Sequence, residues 1–353
     1  MSIYIQGIGA ITIQETFLKS FAEREPIGYN VPHVRCIDPS FKEYLDPLAA
    51  RRMSRIIKRA VLSADKAMHD AGIEVPDAII SGTGLGCVED TEKFLDAMVR
   101  HGEHGLQPSN FIQSTHNTIS SQIAIRKKCN GYNNTHVHKS VSFESALLEA
   151  YLLFHLRRVK SVLVGGYDEM TPSYYNILGR INYWRQSIED TLRVVQVKEV
   201  GSFAGEGSIS FMLSDNKTEL SLAELNRVEL FYKPEKLDVA LDAFLQRAQV
   251  DRNEIDAVFV GRNGDRVNDA VYENGIERFF DDSKIAYYKP FCGEYFTATA
   301  FGMMLGAECL KQHVIPACYM ASKRLISKPQ YVLIYNHSEN KNHSFILLSS
   351  CGN

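Results

Sequence analysis

Apolar residues along this chain keep two rhythms, and the alternation between them is the first structural signal. Short runs dense in Val, Ile and Leu read as strands: "DAIISGTGLG" (77–86) ending in a glycine turn, "KSVLVGGYDEM" (160–170) opening on a Gly-Gly turn, and "EGSISFMLSD" (206–215). The opening stretch "SIYIQGIGAITI" (2–13) reads as strand, turn, strand. Between these runs apolar residues recur at helical spacing. "ARRMSRIIKRAVLSADKAMHDAGI" (50–73) predicts a long helix closed by Gly72, and a further helix is expected from about Asn117 to Lys128. "THVHKSVSFESALLEA" (135–150) is a strand that runs directly into a helix, with the junction at Lys139–Ser140.

The second half repeats this plan. "IDAVFVGRNGD" (255–265) parallels "DAIISGTGLG", "YVLIYNHSEN" (331–340) parallels "SVLVGGYDEM", and "NHSFILLSS" (342–350) parallels "GSISFMLSD". Strands separated by helices imply an α/β fold on mixed or parallel sheets. The repetition implies a duplicated unit with halves 1–216 and 217–353 packed as one body.

Composition narrows the function classes. The chain is 45% hydrophobic and 23% charged with a net charge of −3, which gives nucleic acid or an anionic membrane surface nothing to bind. The N-terminus lacks the pattern of a signal peptide, and no run of about 18 apolar residues predicts a membrane span, so a cytoplasmic protein is expected. The seven cysteines are scattered with no C-x-x-C pair, as buried thiols in a reducing compartment would be, and neither zinc nor any cofactor is expected. "HGEHG" (101–105) groups His101, Glu103 and His104 but reads as a polar loop, because its spacing is not that of a metal helix.

The strand-to-helix junction at Ser140 is the candidate site of chemistry, since free N–H groups at a helix start stabilise developing negative charge. His136 and His138 precede it on one strand face, so a Ser–His pair is conceivable there. The plainer expectation is that the Ser140 hydroxyl caps the helix.

Seven landmarks in register resemble the β-ketoacyl synthase branch of the thiolase-fold family, over nearly the whole chain: "IYIQGIGAIT", "RRMSRIIKRAVLSADKAMHDAGI", "GTGLG", "SVLVGGYDE", "GEGSISFMLSD", "GRNGDRVNDAVYE" (261–273) and "KPFCGEYFTATAFG" (289–302). The resemblance implies a thiolase-like fold, duplicated mixed-sheet halves in α-β-α-β-α layers. An active member uses a cysteine nucleophile and two histidines. On the matching positions this chain carries Ser140 for the cysteine, Gly261 for the first histidine and Glu294 for the second, while Lys289 matches the family lysine. A carboxylate at Glu294 would repel a malonyl carboxylate by roughly 4 kcal/mol at about 4 Å in an effective dielectric near 20. A structural hydrogen bond or salt bridge is the expected role of that glutamate. The glycine-rich turn of active synthases is replaced by "NHSENKNHS" (336–344), and Phe143 stands where they carry glycine.

The pattern is similar to the degenerate partner subunit of bacterial type II polyketide synthases, the chain length factor. That resemblance implies a non-catalytic subunit that heterodimerises with an active ketosynthase and meets the acyl carrier protein through the complex. It would bound the acyl tunnel in aromatic polyketide or aryl polyene synthesis. Carried over by position, the tunnel gate is Phe111, Ile112, Thr115 and His116, with core packing an equal expectation for the first two. The dimer interface uses Asn133, Thr135, His136, Val137 and His138. The alternative is an autonomous acyltransferase or hydrolase working through Ser140.

Overall fold

The computed structural model describes residues 1–19, 25–102 and 104–351; Glu103 of the "HGEHG" loop lies outside them. In chain order the elements are β1 (Tyr4–Thr12), α1 (Phe41–Tyr44), α2 (Pro47–Ala50), α3 (Arg55–Asp70), β2 (Ala78–Gly82), α4 (Val88–His101), α5 (Pro108–Gln113), α6 (Thr118–Lys127), β3 (Tyr132–His136), α7 (Ser142–His155), β4 (Ser161–Asp168), α8 (Pro172–Gly179) and β5 (Gly207–Ser214). There follow β6 (Ala223–Tyr232), α9 (Leu237–Ala248), β7 (Ala257–Val260), α10 (Arg266–Asn274), β8 (Ile285–Tyr287), α11 (Thr299–Lys311), β9 (Val314–Ile315), β10 (Ile326–Ser327), β11 (Tyr331–Ser338) and β12 (Asn342–Ser349).

The main sheet runs β3-β2-β4-β5-β1-β6-β12-β11-β7-β8. Read outward from the centre, both halves place their strands in the same order. In each half the two outermost pairings are parallel and the two inner ones antiparallel. The sequence parallels fall on equivalent strands: β7 with β2, β11 with β4, β12 with β5. The halves join where Tyr4 and Ile5 of β1 meet Glu224 and Ala223 of β6.

The layers follow from which helix faces are apolar. α7 and α11 touch strands of both halves and form the central layer. α11 accordingly buries residues all around its circumference, as a helix with protein on every side must. α3 lies on the outer face of the first half and presents Ile56, Ile57, Ala60, Ala64 and Ala67 to β1 and β5. The contact is close because β1 carries glycine: a Cβ on Gly9 would stand 1.9 Å from the Ser63 carbonyl oxygen.

Four local expectations change. β1 is one strand with a register shift between Ile5 and Gly7, not two strands and a turn. The long helix begins at Arg55, after the short turns of α1 and α2. β4 passes straight through Gly165–Gly166, because its ladder to β5 continues to Asp168. Five of the seven thiols are buried, but Cys318 is exposed and Cys351 half-buried.

Candidate functional site

The nucleophile position lies in a single 3-10 turn, Lys139–Val141, between β3 and α7. Lys139 adopts φ +48°, a left-handed conformation uncommon outside glycine, and it turns the chain sharply from strand to helix. Ser140 is half-buried, and its hydroxyl has no protein hydrogen-bond partner among the described residues. The expected cap is not made: neither this turn nor α7 has a side-chain cap, and Ser142 Oγ instead pins the turn, accepting the His138 N–H at 2.7 Å and donating to the Lys139 carbonyl at 2.7 Å. The Ser–His pair is not formed either. His136 Nε2 stands 2.6 Å from Glu149 Oε2, and His138 Nδ1 lies 3.3 Å from Ser145 Oγ.

At the first histidine position the space for an imidazole is taken. A methyl group on Gly261 would lie 2.6 Å from the hydroxyl oxygens of both Tyr272 and Tyr288, and 2.8 Å from Asn336 Oδ1. These three side chains are buried and arrive from α10, from the residue after β8 and from β11. Tyr272 donates to Asn336 Oδ1 at 3.0 Å; Asn336 Nδ2 donates to Glu144 Oε1 at 3.2 Å and reaches the Ser140 carbonyl at 3.5 Å. One amide thus links the nucleophile turn to the first histidine position. Asn336 comes from "NHSENKNHS", which is a tight hairpin between β11 and β12 with Glu339 and Asn340 both left-handed. The segment that replaces the glycine-rich turn therefore supplies part of the filling.

Glu144 is fully buried on α7, and burial pushes its carboxyl above the usual carboxylate range. Besides Asn336 it accepts from Ser344 Oγ at 3.2 Å. Phe143 beside it is also fully buried, its ring 5.6 Å from that of Phe211. A ring stands where a cavity would need room.

Glu294 is buried and held by three short contacts: Lys289 Nζ at 2.8 and 3.1 Å, and Asn263 Nδ2 at 2.6 Å. The expected repulsion of an incoming carboxylate needs correcting, since the lysine neutralises the pair as a unit. At Gly261 there is no imidazole and no space for one. Asn263 is fixed in turn by Asp269, whose Oδ1 accepts the Asn263 N–H at 2.9 Å. Beneath it Arg262 pairs with Glu273 at 2.7 Å and with Asp269 and Glu277 at 3.3 Å.

The turn opposite is tied down by Asp168 at the end of β4. Its carboxylate accepts from the Gly84 N–H at 2.8 Å, from Thr83 Oγ1 at 3.2 Å and, across the halves, from the Thr297 N–H at 2.8 Å. Burial raises its pKa to about 6.

The gate residues lie elsewhere. Phe111 and Ile112 on α5 are 56% and 61% exposed, so the core-packing expectation for them is overturned: both point away from the subunit's own interior. Thr115 and His116 follow in the exposed turn before α6. The interface candidates occupy and follow the edge strand β3. On one face Glu149 of α7 accepts from Tyr132 OH at 2.5 Å and from Asn134 Nδ2 at 2.9 Å, beside its contact with His136. On the other, Thr135 Oγ1 lies 3.0 Å from Ser81 Oγ and 2.8 Å from Ser120 Oγ, and Asn133 Nδ2 donates to the Ser120 carbonyl. Val137 is exposed. Sequence reasoning missed Glu144, Asn263, Tyr272, Tyr288, Asn336 and Glu149; most reach their partners across long stretches of chain, Asn336 lying 192 residues from Glu144, whereas Glu149 lies on the helix that follows its strand.

Among the described residues no group of His, Cys, Asp and Glu has the geometry of a metal site, and no helix is long and apolar enough to cross a membrane.

Residues 35–199 match a family model described as β-ketoacyl synthase, N-terminal domain. No curated protein matches the sequence. Among solved structures, the ishigamide ketosynthase/chain length factor superposes with a TM-score of 0.84 at 17% identity, covering 99% of both chains. The ketosynthase ApeO in complex with its chain length factor ApeC, from Xenorhabdus doucetiae, gives 0.77 at 15% identity, covering 99% of this chain and 98% of that one. A β-ketoacyl synthase from Burkholderia phymatum STM815 gives 0.78 at 15%, covering 99% of this chain and all of that chain. The resemblance to β-ketoacyl synthases and the layered thiolase-like fold are both borne out.

Proposed function

We propose that this chain is the non-catalytic member of a ketosynthase pair: a chain length factor that heterodimerises with an active ketosynthase and bounds its acyl tunnel. The observation that carries the reading is the filled reaction centre. Tyr272, Tyr288 and Asn336 occupy the space beside Gly261, and Glu294 is locked to Lys289 and Asn263. A side chain that has closed on its neighbours cannot also bind the growing enolate, so condensation is left to a partner. The edge strand β3, with Asn133, Thr135, His136, Val137 and His138 in and just after it, offers unpaired backbone groups to a second sheet.

Phe111, Ile112, Thr115 and His116 would then enter the partner's tunnel. Each extra ketide unit pressed against such a floor incurs overpacking of about 1–3 kcal/mol, enough to end elongation at a set length. The acyl carrier protein would be met through the partner. The products that suit this role are poly-β-ketones for aromatic rings or aryl polyenes. The neighbours reported above include ketosynthase–chain length factor pairs, which supports the assignment. The rival reading, acyl transfer or hydrolysis at Ser140, has no base hydrogen-bonded to the hydroxyl among the described residues to support it.

The test is expression with and without a ketosynthase that carries an intact Cys-His-His set. The expected outcome is a chain that behaves poorly alone, is rescued by co-expression, and takes no malonyl or fluorophosphonate label at Ser140. Purified alone, a chain that loads and extends malonyl units ends this reading.

A further inference from the structure

Helix α4 carries an apolar stripe that its own subunit leaves uncovered. In "VEDTEKFLDAMVRH", Leu95, Met98 and Val99 recur at the i, i+3, i+4 spacing of a helix face made for burial. Yet Val88 and Asp90 are the residues of α4 that are buried; Leu95 is 53% and Val99 86% exposed. The Phe94 ring, 5.3 Å from that of Phe111, fastens α4 to α5, so Phe111 and Ile112 extend the same apolar surface. α5 leads into α6, and α6 is bonded to the edge strand through Ser120 with Asn133 and Thr135. The β2–α4 connection meets β3 again, where the Thr83 N–H donates to the His136 carbonyl at 3.0 Å. The stripe and the α5 pair are thus linked, through α6 and the β2–α4 connection, to the edge strand β3 that Val137 follows. Contiguous exposed apolar surface of this kind marks an interaction site.

We infer that the α4 stripe is the anchor of the subunit interface, and that its occupant is a second subunit of the same fold, the active ketosynthase. The inference rests on the functional reading above and adds a division of labour to it: α4 supplies affinity, α5 supplies chain length. The chain of contacts from α4 through α5 and α6 to the unpaired sheet edge selects this occupant, because a strand partner docked on β3 would bring its own helices to the same side. A membrane is disfavoured by the polar side of α4, which mixes Glu89, Glu92 and Asp96 with Lys93 and Arg100 instead of presenting a basic face.

The experiment measures binding of a ketosynthase bearing an intact Cys-His-His set to the full chain and to the double variant Leu95→Asp/Val99→Asp. Both residues are exposed, so the variant should melt at the wild-type temperature. We expect the variant to bind at least about 30-fold more weakly, as loss of interface anchors does, while products of the residual complex keep their length. Wild-type binding with a variant within threefold of it would overturn the α4 assignment and leave the functional reading standing. Absence of wild-type binding would remove both. A homodimer of this chain, dissociated by the same variant, would show the occupant to be a second copy and overturn the choice of partner.

Discussion

Around Gly261 the interior is filled by side chains of the same chain; around Val99 apolar side chains face outward with nothing over them. The first region gathers Tyr272, Tyr288, Asn336 and Glu144 from four distant elements into one packed polar cluster. The second holds Leu95, Met98, Phe111 and Ile112 on two neighbouring helices, exposed and without a shared core. The contrast is between a site that has been closed and a surface that has been kept open. Once an active centre loses its imidazoles, packing removes the vacated volume, because a cavity is costly and internal groups can move in. An exposed apolar flank is costly too, and its retention points to something outside the subunit that covers it.

Substitutions should separate the two regions by size of effect. The largest is expected from Lys289→Met, which strips Glu294 of its cation inside the protein. Breaking a buried pair on one side typically destabilises by about 3–5 kcal/mol, and the midpoint of denaturant unfolding should fall accordingly. The double change Lys289→Met/Glu294→Leu should recover most of that loss, since no charge is then left stranded. Next is Gly261→Ala, whose methyl group must displace two tyrosine hydroxyls. Overpacking of this kind costs roughly 1–3 kcal/mol, read as a lower melting temperature; an unchanged one would mean that the space is not filled.

A smaller effect belongs to pH. His337 is buried on β11 with Nε2 3.1 Å from the Asn268 carbonyl, and burial lowers its pKa from 6.5 to about 3. Between those values the unfolded chain binds a proton that the folded chain excludes, so stability falls as pH drops below 6.5. At pH 5.5 the loss should be about 1 kcal/mol, and His337→Gln should flatten that limb of the stability curve. The smallest effect on the isolated chain is expected from Phe111→Ala, within about 0.5 kcal/mol because the ring is largely exposed. In the complex the same change should lengthen the product. If alanine at Phe111, Ile112, Thr115 and His116 each leaves product length unaltered, the gate assignment falls.

The duplicated plan was legible because the chain states it twice: β2, β4 and β5 have visible counterparts in β7, β11 and β12, so each half supports the reading of the other, although the order of strands in the sheet was not read. The positions Ser140, Gly261 and Glu294 were singled out for a related reason, since the residues around them match the family's register. What packs around them was not legible. Asn336 lies 192 residues from Glu144, and nothing local announces that an amide in a hairpin will fill space beside a glycine. Nor does the local sequence show that Ser142 will pin the turn at Lys139 while Ser140 caps nothing. The α4 stripe shows a different limit. Apolar residues at i, i+3 and i+4 look the same whether the surface they meet belongs to their own chain or to another, and for the same reason Phe111 and Ile112 stood equally divided between core packing and tunnel gate.

The carboxylate of Asp168 has a consequence for how such a molecule could be dismantled. It grips Gly84 and Thr83 from one half and Thr297 from the other, so a fragment ending near residue 216 would keep the acid but lose one of the donors that shield it. Loops can be whittled down over generations without disturbing this grip. A chain that acts without chemistry of its own, as proposed, would therefore still need both halves of the frame.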